Sequence, residues 1–316
     1  MPHRYCRRSI LLLLVSASLL LPVSCQSGPD DATAPEGQGT ITFSVTNYRQ
    51  VSFDDLSRAG TSRAGTIAMT LANLSFTVFD AETDEQVSSM LHRSSDYDSD
   101  PSAAKSFPQF SVTLPYGRYK VLVLGYNGSR ACNVASLNHV SWEGNYVPNT
   151  FLYYDEFTLD ENTSLSTDVT LRRVVAAFRV TAEDAIPAQL RKVRFVNTAG
   201  GTVLDATTGF ASTNSGRTSE IVVPSDSIGK QGVSFTTYLF LPTEETSGHC
   251  TVQALDGDET AFAVKQFNDV PLRINYLTEW NGSLFSASGN DGSDDVERAF
   301  YIEWDTEWEG TISYNP

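Results

Sequence analysis

The sequence predicts an all-β chain built as two antiparallel β-sandwich domains, and three observations carry that expectation. Nearly every periodic segment beyond residue 38 repeats with a period of two, Val, Ile, Thr, Tyr and Phe dominate those segments, and Gly, Asn, Asp and Pro clusters separate them. A period of two puts one set of side chains on one face of an extended chain. Many short strands with regular turns close into sandwiches or barrels. Beyond the first twenty-five residues no stretch has helical periodicity, and Glu183–Leu190 has room for one short turn.

The chain opens on a different pattern. Arg4, Arg7 and Arg8 form a basic start, and Ile10 to Leu21 form an apolar run, the layout of a secretory signal. The run falls short of the roughly 20 apolar residues that span a bilayer, so residues 1–24 read as a leader to be removed. Val23-Ser24-Cys25 resembles the end of a bacterial lipobox, in which cleavage leaves Cys25 as the lipidated first residue; Pro22 stands where Leu is usual. Ordinary signal cleavage beside an incidental cysteine is the plainer alternative. Acyl chains such as palmitate contribute about 0.8 kcal/mol per buried methylene, enough in combination to hold a folded domain at a membrane. Residues 25–38 are polar, acidic and contain Gly and Pro, which makes them a tether. Acidic residues after such a cysteine resemble the surface-export signals of lipoproteins in gram-negative gut anaerobes, and imply the outer leaflet of the outer membrane.

The first sandwich is expected over residues 39–171. Ile41, Phe43 and Val45 alternate with Thr42, Ser44 and Thr46, and Leu74, Phe76 and Val78 alternate with Ser75, Thr77 and Phe79. Tyr119, Val121, Val123 and Gly125 oppose Lys120, Leu122 and Leu124, a strand with two apolar faces. The polar turn Asp160-Glu161-Asn162-Thr163-Ser164 and the strand Thr167–Leu171 lead to the boundary. The second sandwich is expected over residues 172–316. It begins with the nearly uncharged centre of Arg172–Val180 and includes strands at Lys192–Asn197, Ser234–Leu241, Cys250–Leu255 and Thr260–Phe267. Asp256-Gly257-Asp258-Glu259 is a hairpin turn by the Asp-Gly rule. After the acidic linker Asn290–Asp295, Phe300, Ile302 and Trp304 face opposite Tyr301, Glu303 and Asp305. That last strand can close its own sheet or pair in trans.

Composition excludes several partners and chemistries. The formal charge is −16, and loss of the leader's three arginines takes it to −19. So acidic a surface disfavours nucleic acid, whose proteins neutralise phosphates, and adhesion to anionic lipid. Cys132 and Cys250 fall in different expected domains, so free buried thiols rather than a disulfide framework are expected. Asp96-Tyr97-Asp98-Ser99-Asp100 opens like a calcium loop, but Pro101 and Phe107 stand where Gly and Glu are needed. His92, His139 and His249 have no zinc spacing. There is no nucleophile elbow and no phosphate loop. Paired carboxylates such as Glu303 and Asp305 lie on an outer strand face, and a glycosidase would need two converging across a cleft. The expectation is a protein that is not an enzyme and holds no metal or cofactor.

Several segments taken in order carry a family likeness: Thr40–Val45 followed by an arginine-containing loop, Leu71-Ala72-Asn73-Leu74-Ser75-Phe76-Thr77-Val78-Phe79-Asp80, Leu114-Pro115-Tyr116-Gly117-Arg118-Tyr119-Lys120-Val121, Thr150-Phe151-Leu152-Tyr153-Tyr154, Leu171-Arg172-Arg173-Val174-Val175-Ala176 and Val270-Pro271-Leu272-Arg273-Ile274-Asn275-Tyr276-Leu277-Thr278. Together with the lipobox, this pattern resembles the fimbrillin-like subunits of type V pili, whose members include stalk, anchor and tip proteins. The resemblance implies two transthyretin-like sandwiches, lipoprotein export, a place at the outer membrane or in the fimbrium, and partners that are other pilin subunits joined by strand addition. It also implies arginine-specific cleavage in the loop after the first strand. The loop Ser57–Thr66 repeats a five-residue unit and offers Arg58 and Arg63 for that cut; a solvated loop with no such role is the plainer reading. Cleavage would free Thr40, Ile41, Thr42, Phe43, Ser44 and Val45, and the C-terminal donor candidates are Phe300, Tyr301, Ile302 and Trp304.

The aromatic residues support a rival function, a glycan-binding surface lipoprotein of a polysaccharide-uptake system. Trp142 and Tyr146 lie in the turn-rich Trp142-Glu143-Gly144-Asn145-Tyr146, and are the candidates for stacking on a host or bacterial glycan. The plainer reading is that most of the aromatics, these two among them, pack the cores.

Overall fold

Alternation becomes strand pairing in the computed structural model, which describes residues 37–47, 71–93, 95, 109–162, 166–286 and 310–313. The first part of the chain contributes β1 (Gln38–Asn47), β2 (Asn73–Asp80), β3 (Gln86–Arg93), β4 (Gln109–Pro115), β5 (Gly117–Tyr126), β6 (Cys132–Ser136), β7 (His139–Trp142), β8 (Thr150–Leu159), β9 (Ser166–Thr170) and β10 (Arg172–Arg173). The rest contributes β11 (Ala176–Ala182), β12 (Lys192–Asn197), β13 (Leu204–Asp205), β14 (Phe210–Ala211), β15 (Arg217–Val222), β16 (Val233–Leu239), β17 (Glu245–Leu255), β18 (Ala261–Arg273), β19 (Tyr276–Gly282) and β20 (Gly310–Ser313). No α-helix occurs among the described residues. The fold is all-β, and most of its pairings are antiparallel.

Two sheets, ordered β4-β1-β9 and β10-β8-β5-β2-β3, enclose one core. Ile41 and Phe43 from β1 meet Phe76 and Val78 from β2 and Val121 and Val123 from β5 there. Two more sheets, ordered β16-β11-β19-β20 and β15-β12-β17-β18, enclose a second core. Its centre is aromatic: the Phe178 ring meets those of Phe195 and Phe267 edge-on at 6.2 and 5.4 Å, and Phe267 meets Trp280 at 5.1 Å. These are favourable ring geometries.

A third core lies between these two. The second apolar face of β5, Leu122, Leu124 and Tyr126, packs there with Val140, Trp142, Ala177, Leu204, Phe240 and Leu277. A small sheet ordered β14-β13-β7-β6 runs along it, in which Leu204 pairs with Val140. The two-faced pattern of β5 thus has a physical cause, since the strand is buried on both sides.

Two expectations change. Arg172–Val180 is not one strand. β10 pairs with β8, and β11 pairs with β16 and β19. Between them, Val174 donates its N–H to Thr150 O at 3.0 Å, and Val175 O accepts from Asn275 N at 2.9 Å. The chain changes sheet there, so the pairing breaks while burial continues. The turn between β17 and β18 has Glu259, not Gly257, in the left-handed region (φ 59°). Asp256 Oδ1 accepts the N–H groups of Asp258 and Thr260 at 3.0 and 2.9 Å, so the aspartate builds the turn through its side chain. At 183–190 there is no helix, only the turn in which Leu190 N–H reaches Pro187 O at 3.0 Å.

Candidate strand-exchange site

β1 is the middle strand of its sheet. Its antiparallel register with β4 runs from Gln38↔Pro115 to Ser44↔Gln109, and its parallel register with β9 sets Phe43 opposite Thr167 and Val45 opposite Val169. Both edges of β1 are therefore hydrogen-bonded. Its inward residues are fully enclosed, Ile41 and Phe43 at 1 % exposure and Val45 at 4 %. The Phe43 ring stacks on Phe110 at 6.3 Å and meets Phe157 edge-on at 5.5 Å. On the outer face, the Thr40 and Thr42 hydroxyls bond those of Thr113 and Ser111, both at 2.7 Å.

This arrangement sets a scale. Burying a side chain of this size contributes about 1.5–3 kcal/mol, so three of them contribute roughly 5–9 kcal/mol. A whole domain is stable by about 5–15 kcal/mol. Removal of β1 would leave an apolar groove between two strands with unpaired edges, and an extended segment with apolar residues at every second position could refill it.

Of the sequence candidates, Thr40–Val45 lie in this strand. Cys25, Arg58, Arg63, Phe300, Tyr301, Ile302 and Trp304 lie outside the described residues. Trp142 is corrected. It is 2 % exposed, its ring stacks on Phe240 at 5.7 Å and meets Tyr126 edge-on at 5.5 Å, so it packs the middle core and faces no ligand. The alternation of β7 sends Val140 and Trp142 inward together.

Tyr146 is half-buried and lines an open cleft of about 600 Å³ with Arg130, Thr218 and Thr236. Sequence reasoning missed the most unusual residue there. Arg217 opens β15, is 6 % exposed, and donates from Nη1 to Thr237 Oγ1 at 3.0 Å and to the Tyr238 carbonyl. Burial pulls its pKa down to about 10, opposed by the electrostatic influence of Tyr146. The signal that could have found it is parity: Arg217 shares the inward face of β15 with Ser219 and Ile221.

Reactive chemistry is sparse among the described residues. Cys132 and Cys250 are free thiols, and burial pushes both up to about 12, far from the thiolate form. No group of three His, Cys, Asp or Glu side chains is placed to hold a metal ion among the described residues.

A family model described as a family of unknown function (DUF6562) matches residues 78–314. No curated protein matches the sequence. Among solved structures, the chain is similar to a candidate adhesin from Bacteroides ovatus at 13 % identity over 74 % of this chain and 83 % of that one, with a TM-score of 0.44. It is similar to a candidate cell adhesion protein from Bacteroides eggerthii at 12 % identity over 89 % and 99 % of the two chains, with a TM-score of 0.40. Similarity to the tip fimbrial protein Mfa3 from Porphyromonas gingivalis is 13 % over 73 % and 80 %, with a TM-score of 0.33.

Proposed function

The chain belongs to DUF6562, a family of unknown function, and we propose that it is a lipid-anchored surface protein, a pilus subunit or pilus-associated adhesin that assembles by β-strand complementation. One observation carries the reading: β1 is a central strand whose two edges and three apolar side chains are all engaged, and it lies at the N-terminal end of the described chain, before a segment that contains Arg58 and Arg63. A strand so placed can leave by one cut and be replaced by an equivalent strand of another subunit. The sequence resemblance to fimbrillin-like subunits points the same way. The protein's work is then binding and assembly, with no reaction catalysed. The lipidated Cys25 holds it to the outer membrane, and its partners are other pilin subunits. The alternative, glycan binding in a polysaccharide-uptake system, has the cleft beside Tyr146 in its favour.

Intact mass and N-terminal mapping of protein extracted from the native cell surface test the proposal. The expected results are a triacylated start at Cys25, or a new start at Ala59 or Ala64 that marks removal of β1. An unlipidated chain in the soluble fraction that keeps β1 would contradict it.

A further inference from the structure

β15 and β16 are outer strands of the two sheets that face each other in the second sandwich. The open cleft is lined by both strands and by Gly144 (φ 69°) and Asn145 (φ 56°), the left-handed residues of the turn Glu143–Asn145. The left-handed turn sets Tyr146 against the cleft. Arg130 reaches the same ring, its guanidinium carbon 5.9 Å from the Tyr146 centroid. A Cβ at Gly144 would stand 3.0 Å from Arg130 Nη1, so glycine makes room for that arginine.

Arg217 lines this cleft in an unusual state. Its hydrogen bonds run through Nη1, and its buried Nε has no partner among the described residues. Glu220 also lines the cleft, but its carboxylate is engaged by Arg194 at 2.6 Å and Lys192 at 3.1 Å. A buried guanidinium without a carboxylate is costly, and its planar fork suits a bidentate oxyanion. The rest of the lining carries hydroxyls: Thr218; Ser219 and Thr237, which bond each other at 2.8 Å; Ser234, which meets Thr181; and Thr236, which accepts from Arg179 Nε. An aromatic ring, hydroxyls and an arginine whose charge is uncompensated match a sugar ring that carries one carboxylate. An acidic peptide fits less well, because it offers the Tyr146 ring no pyranose face to stack on.

We propose that the cleft between β15 and β16 binds an acidic sugar, with Arg217 and Arg130 taking its carboxylate and the Tyr146 ring stacking on its pyranose face. The site rests on the glycan-binding alternative, whose ligand class it names, and does not depend on strand exchange.

Calorimetric titration of the full chain with trigalacturonate, maltotriose and acetate at one ionic strength is the test. The expected result is saturable binding of trigalacturonate, with maltotriose weaker by roughly ten- to hundredfold, the range for a hydrogen bond to a charged group. Arg217→Met should remove that preference. Arg217 is buried, so Tyr146→Ala and Arg130→Ala, at half-buried and exposed positions, keep the test alive if that variant fails to fold; each should weaken trigalacturonate severalfold. No saturation, equal binding of the neutral and acidic sugars, acetate binding as tightly as trigalacturonate, hexaglutamate outcompeting it, or full binding in both surface variants would each overturn the proposal.

Discussion

Asp184 shows how much one side chain can organise. Its oxygens accept the N–H groups of Leu284, Phe285 and Ser286 at 2.9, 2.7 and 2.8 Å, and the Ser286 hydroxyl at 3.1 Å, pinning the chain that leaves β19. Burial raises its pKa, but these donors outweigh it and hold the carboxyl below its usual range. A carboxyl depressed in the folded state contributes stability above its unfolded pKa of about 3.9 and loses it as pH falls through the folded value. Asp184→Asn should therefore cost about 1–2 kcal/mol at pH 7 and flatten the loss of stability below about pH 4. Urea melts of both proteins at pH 7 and pH 3 check this, and an equal gap at the two pH values would contradict it. Asp80, held low by the backbone N–H groups of Thr83 and Glu82, and Glu220, held low by Arg194 and Lys192, contribute to the acid response in the same sense. Asp184 was not legible in the sequence, because its partners are about a hundred residues away. Trp142 misled for a related reason: a turn-rich neighbourhood marks the turn and says nothing of which neighbour covers the ring.

At the scale of the element, strands were the most legible feature, because alternation is a local property. Lys192–Asn197 has the ends expected of it, and β5 carries the two apolar faces that its residues announced. Legibility failed where the chain changes partner without changing character, as at Val174 and Val175, since apolar residues buried between two sheets read like the middle of one strand. β1 is legible for the opposite reason: its alternation maps onto one core face and one outer face. Phe43→Ala should cost about 3–5 kcal/mol, the usual loss for a large buried ring. Thr42→Ala, which loses one outer-face hydroxyl bond, should cost under about 1.5 kcal/mol. Equal losses in denaturant melts would show that the inner face of β1 does not hold the strand in place.

The whole molecule depends on contacts that no local pattern reveals. The middle core joins Leu124 and Trp142 to Leu204, Phe240 and Leu277, so residues of both expected sandwiches are buried in one place. A reading by segments yields two sandwiches and leaves the surface between them unassigned. The cleft was hidden in the same way, since its walls come from β15, β16 and the turn before Tyr146. β1 has the reverse position: it is enclosed between β4 and β9, so the groove it fills is made by strands that come later in the chain. The measurement that tests this most directly is refolding of a chain that lacks residues 1–47, with and without a peptide of residues 38–47. The account predicts that the shortened chain recovers a cooperative melt only with the peptide, and that a peptide carrying Phe43→Asp fails to restore it. A shortened chain that folds alone with the stability of the whole, or one indifferent to both peptides, would contradict it.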